Sequence, residues 1–113
     1  MKGKIYKGLV LYFIQFDPKA DTEYQEAYAW YEEQLQGLGE RFEFSVEQKL
    51  VSVLAAPLLY PIKKYDIREC KINGFPYLII YKFYPLKNLI LIISIFHTSR
   101  NPRKKLPNLR KRS

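Results

Sequence analysis

The chain has 113 residues, a formal charge of +8, and 48% hydrophobic and 16% aromatic content. That suffices for one packed core and is too short for two domains, and it excludes a largely disordered chain. A single cysteine, Cys70, excludes an internal disulfide and suits a reducing compartment.

The longest apolar run, Leu89–Phe96, falls well short of the roughly 20 residues a membrane helix needs. The apolar run after Lys7 has no small-residue cleavage site behind it. A soluble, cytoplasmic protein is therefore expected, with no membrane partner. The charge is unevenly divided: residues 1–16 carry +3, residues 17–47 carry −7, and residues 48–113 carry +12. Such asymmetry points to an anionic partner for one face, nucleic acid being the commonest, with a solvated basic surface as the alternative.

In chain order, "GLVLYFIQF" (8–16) is rich in β-branched and aromatic residues and reads as a strand that stops at Asp17-Pro18. "DTEYQEAYAWYEEQLQGLG" (21–39) reads as a helix with Thr22 as N-cap and Gln25 completing a capping box. Tyr24, Ala27, Tyr28, Tyr31, Leu35 and Leu38 form one helical stripe. Trp30 lies off that stripe, against a sheet edge or facing a partner.

"GERFEFSVEQKLVSVLAAP" (39–57) reads as a second helix, striped by Phe42, Val46, Leu50, Val53 and Leu54 and ended by Pro57. The glycine-containing turn between the helices predicts an antiparallel hairpin.

The remainder alternates as strands do. "YDIRECKI" (65–72) is followed by Asn73-Gly74, a strong hairpin signal. "FPYLIIYKFY" (75–84), the turn "PLKN" (85–88) and "LILIISIFH" (89–97) complete an antiparallel meander. On the 75–84 strand Phe75, Tyr77, Ile79, Tyr81 and Phe83 share a face, read as core. Cys70 reads as a small buried hydrophobe.

The fold class expected is α+β, in the order β-α-α-β-β-β, with the helical hairpin packed on one face of a small antiparallel sheet. One domain spans 1–99. Residues 100–113 hold seven bases and no acid and form a basic C-terminal tail.

Three stretches resemble the RelE/ParE family of bacterial type II toxin–antitoxin toxins (the plasmid-stabilisation type). "AYAWYEEQLQGLGERF" (27–42) is similar to the family's helical hairpin. "IREC" (67–70) with "FPYLIIY" (75–81), and "FHTSRNP" (96–102) with its histidine–x–x–arginine, are similar to its strands. The resemblance implies a growth-inhibiting toxin neutralised by a cognate antitoxin. One branch cleaves messenger RNA in the ribosomal A site and another poisons DNA gyrase; the hairpin leans towards the ParE-like, gyrase side. A non-toxic nucleic-acid-binding module is the alternative of another class.

A metal-independent ribonuclease needs a proton acceptor, a proton donor and cations around the phosphate. The residues available for catalysis in that branch are His97, Arg100 and Arg68. His97 could act as acid or base near neutral pH, and each arginine can grip a phosphate with two hydrogen bonds. The structural alternatives stay open: a strand-end contact for His97, and an ion pair with Asp66, Glu69 or a helix glutamate for Arg68. Lys63, Lys64, Lys71, Arg103, Lys104 and Lys105 are the nucleic-acid-binding candidates, with a solvated face as the bland reading. One histidine and one cysteine make no metal cluster, and no glycine-rich phosphate loop is present, so neither metal nor cofactor is expected.

Overall fold

The computed structural model describes residues 2–7 and 10–99, with side chains from residue 12 onward. Its elements are β1 (Lys2–Lys7), β2 (Val10–Phe16), α1 (Pro18–Gln34), α2 (Leu38–Ala55), β3 (Ile62–Lys64), β4 (Ile67–Lys71), β5 (Tyr77–Tyr84) and β6 (Leu89–His97). The strands form one sheet in the order β1-β2-β6-β5-β4-β3. The helical hairpin lies on one face of it, giving the expected α+β class.

The sheet is mixed rather than wholly antiparallel, because β2 pairs with β6 in parallel while the other neighbours are antiparallel. A parallel pair needs a long crossover. Here the helical hairpin and the three strands after it supply that crossover and bring the last strand beside β2. Two edge strands add to the expected four. β1 pairs with β2 from Lys2↔Gln15 to Lys7↔Val10, so the strand read as 8–16 is the inner half of a hairpin. β3 pairs with β4 through a turn in which Tyr65 and Asp66 take φ of 54° and 60°. Two successive left-handed residues are the geometry of a tight primed turn. Tyr-Asp is a weak advertisement for such a turn, which is why the strand read as 65–72 is in fact a short hairpin, 62–64 and 67–71.

The first helix starts three residues before the expected 21. Asp17 is the N-cap in extended conformation and Pro18 stands in the first turn. Proline is pre-organised there and loses no hydrogen bond, and Asp17 is held because its main-chain N–H donates to Ile92 O at 2.9 Å. Thr22 is consequently inside the helix, and Gln25 donates to Asp21 Oδ1 at 3.5 Å instead of closing a capping box.

The turn between the helices is built by Glu32. Its Oε2 accepts from the Gly37 N–H and its Oε1 from the Gly39 N–H, both at 2.9 Å. Those amides open α2, so the carboxylate caps a neighbouring helix across the turn. Gly37 has φ 89°. Gly39 sits where a Cβ would stand 2.8 Å from Tyr28 O, so its lack of a side chain lets α1 and α2 approach.

The main core lies between helices and sheet. Phe42, Val46, Leu50, Val53 and Leu54 of α2 are all buried, as the stripe predicts. On α1 the buried set is Ala20, Tyr24, Ala27 and Tyr31, while Leu35 faces solvent because the helix has already ended. Tyr77, Ile79 and Tyr81 are buried against these helices, with Phe83 at the margin. A second cluster, Ile67, Ile80, Ile93 and Phe96, is buried on the opposite face. With both faces of β6 covered, the near-continuous apolar run "LILIISIFH" replaces simple alternation.

Candidate functional site

The motifs that carry the resemblance converge on one aromatic cluster. Phe42 of α2 lies 5.2 Å from the Tyr31 ring centroid, 5.2 Å from Phe75 and 5.1 Å from Tyr77. Tyr77 carries the cluster to His97, whose ring meets it edge to face at 5.0 Å. Trp30 extends it on the other side, 5.1 Å from Tyr31. Rings spaced and tilted in this way add to the area they bury.

Between Trp30 and His97 the surface opens into a cleft of about 330 Å³, lined by Glu23, Glu26, Ala27, Trp30, Tyr77, Ile95, Phe96 and His97. Its wall on β6 depends on a bulge. Ile80 pairs with Ser94 and Tyr81 with Ile92, so Ile93 is the extra residue. Just past the bulge, Ser94 Oγ and the Ile95 N–H both donate to Glu23 Oε1 of α1, at 2.7 and 3.1 Å. Glu23 Oε2 also pairs with Lys19 at 3.1 Å.

His97 ends β6 at the rim, partly exposed. Its Nδ1 accepts from the Ser99 N–H at 3.1 Å. In the neutral ring the proton therefore sits on Nε2.

The cleft does not gather the other candidates. Arg68 pairs with Tyr81 and His97 with Tyr77, four residues apart along β5 and two strands apart across the sheet, roughly 16 Å between Cα atoms. The Arg68 guanidinium donates to Tyr60 O at 2.6 Å and Leu58 O at 3.2 Å. It thereby secures the connection between α2 and β3. Tyr81 Oη does the same, donating to Pro57 O at 2.7 Å, and burial pushes its phenol well above the ordinary value.

Lys63 and Lys64 are exposed on edge strand β3, and Lys71 is exposed at the end of β4. Arg100, Arg103, Lys104 and Lys105 lie outside the described residues. Cys70 is buried, and burial raises its thiol above 9.0. Among the described residues no cluster of metal-ligating side chains occurs, and no helix is long and apolar enough to cross a membrane.

The residues that sequence reasoning passed over are Glu23 and Glu26, with Trp30 left undecided. Glu26 and Trp30 are four apart on α1 and off its apolar stripe, a spacing that places them on one exposed face.

The sequence matches, over residues 14–102, the family described as the ParE toxin of the type II toxin–antitoxin system parDE. Among curated proteins, no sequence matches the chain significantly. Solved structures share the fold. The intact Escherichia coli RelBE toxin–antitoxin complex contains a chain 22% identical, with a TM-score of 0.61 over 77% of this chain and 96% of that one. The isolated E. coli RelE toxin is 19% identical, with a TM-score of 0.59 over 88% and 97%. The chromosomal ParDE system of P. aeruginosa is 14% identical, with a TM-score of 0.55 over 74% and 92%. With most of its length matched, the chain belongs to the ParE toxin family of type II toxin–antitoxin systems.

Proposed function

We propose that this toxin arrests bacterial growth by poisoning DNA gyrase and is held inactive by a cognate antitoxin. The family match over 14–102 supports the toxin reading. The observation that carries the gyrase side is the separation of His97 from Arg68. His97 is accounted for by its packing on Tyr77, and Arg68 by its two carbonyl acceptors. Cations and a general base gathered around one phosphate are what a metal-independent ribonuclease requires.

The antitoxin reading is supported by two of the fold relatives, RelBE and ParDE, which are toxin–antitoxin systems. An antitoxin helix or strand laid on apolar grooves and shielding the basic strands is the mode proposed.

A second reading, a RelE-like ribosome-dependent messenger RNA endonuclease, draws on one feature. His97 opens onto a cleft rather than into the core, with exposed Lys63, Lys64 and Lys71 available for phosphates. Inducible expression in a bacterial host separates the two. The gyrase reading expects arrested growth, gyrase trapped on broken DNA, and toxicity retained by His97→Ala. Cuts in messenger RNA at the ribosomal A site with intact DNA, abolished by His97→Ala, overturn it in favour of the nuclease.

A further inference from the structure

The cleft between α1 and the end of β6 has the chemistry of a cation site. Trp30 is 47% exposed and lines the cleft, so part of the indole is open to a ligand. Glu26, one turn earlier on the same face, is exposed, and no described residue pairs with it. Glu23, also on the lining, is already held by Ser94, the Ile95 N–H and Lys19, which leaves Glu26 as the open carboxylate. An indole beside an open carboxylate in a concavity is the arrangement that favours a guanidinium or ammonium group, through cation–π attraction and ion pairing together. The cleft, at about 330 Å³, has room for one such side chain and its aliphatic stem.

The chain supplies its own candidate. Segment 100–113 holds seven bases and no acid, and it follows directly on Ser99, two residues beyond the His97 that lines the rim. Three extended residues span about 10 Å, and the cleft lined by Glu26 and Trp30 shares its rim with His97. A tethered group acts at an effective concentration in the millimolar range. The charges complement each other, since residues 17–47, which include α1, carry −7. We propose that this cleft binds a lysine or arginine side chain of the chain's own segment 100–113, holding the basic segment against the acidic hairpin. Anionic partners then compete with α1 for the same cations. The inference does not depend on whether gyrase or the ribosome is the target.

Trp30 is the sole tryptophan, so its fluorescence reads the site directly. The experiment measures acrylamide quenching of the full chain at low salt, against two full-length variants. One has its seven bases at 100–113 replaced by glutamine, and the other is Glu26→Gln. The expected result is protection of Trp30 in the unaltered chain, lost in both variants and lost in about 1 M salt, where charges are screened beyond about 3 Å. Equal quenching in all three chains at low salt overturns the proposal. Protection that grows with protein concentration overturns the intramolecular form and identifies a second copy as the occupant. Circular dichroism confirms that each variant is folded before it is compared.

Discussion

Glu23 on α1 and Ser94 on β6, 71 residues apart in sequence, are joined by a 2.7 Å hydrogen bond. The same carboxylate oxygen takes the N–H of Ile95, which lies beyond the last β2 partner on β6, Ile92. One side chain thus seats the first helix on the sheet and satisfies a main-chain donor that the sheet cannot. Replacing Glu23 by alanine leaves that donor unpaired, at a cost of about 1–3 kcal/mol. Glu23→Gln keeps an acceptor and recovers part of it. Urea denaturation of the two variants checks this; equal midpoints for alanine and the unaltered chain would contradict it.

The turn between the helices carries a second prediction. Gly39→Ala drives a methyl group against Tyr28 O and Glu32 Oε1, to 2.8 and 2.9 Å. Relief requires the helices to separate, and such overpacking costs about 1–3 kcal/mol. At Gly37 a side chain meets nothing within 4 Å, so Gly37→Ala pays only for its left-handed backbone, about 1 kcal/mol. Glu32→Ala removes acceptors from two helix-opening amides and costs about 1 kcal/mol or more. A thermal melt in which Gly37→Ala is the more damaging glycine change would refute this ordering.

Arg68 and Tyr81 act on the same connection, the first through Leu58 O and Tyr60 O, the second through Pro57 O. Arg68→Ala and Tyr81→Phe should each destabilise by about 1–3 kcal/mol. Their double variant should depart from additivity, because both loosen one segment. Arg68→Lys should restore much of the stability and with it growth inhibition. A chain with Arg68→Lys that is stable yet inactive would assign Arg68 a direct part in the activity.

Burial also sets the alkaline limit of stability. It raises the Cys70 thiol above 9.0, partly offset by Tyr60 and Lys49, and it raises the Tyr24 phenol above 10.0, with Glu47 and Glu43 adding to the effect. The folded chain therefore keeps protons that the unfolded chain releases. This contribution is fully present below pH 9.0 and is lost as the pH climbs through the raised values. Urea midpoints should fall from pH 9.0 upwards, and Cys70→Ala should flatten the first part of the fall while lowering the midpoint throughout. A midpoint that rises above pH 9.0 would run against the sign of these shifts.

The sequence by itself determined the helical hairpin, the core stripe of α2, the inward face of β5 and the bounds of β6. These follow from periodicity and from local breakers such as Gly37, Pro57 and Pro85, whose effects reach only a few residues along the chain. Its three motifs also carried the family resemblance, since Tyr31, Phe42, Phe75 and Tyr77 keep their identities wherever the chain places them.

Only the tertiary structure decided that β2 lies parallel to β6, that Tyr65 and Asp66 turn a hairpin, and that Glu23 reaches Ser94. It also decided that Arg68 faces main-chain carbonyls at one end of the sheet while His97 borders a cleft with Trp30 and Glu26 at the other. Each of these depends on which residues meet across long stretches of chain. Strand partners and cleft walls are set by packing the hairpin over the sheet, and no local pattern encodes that packing.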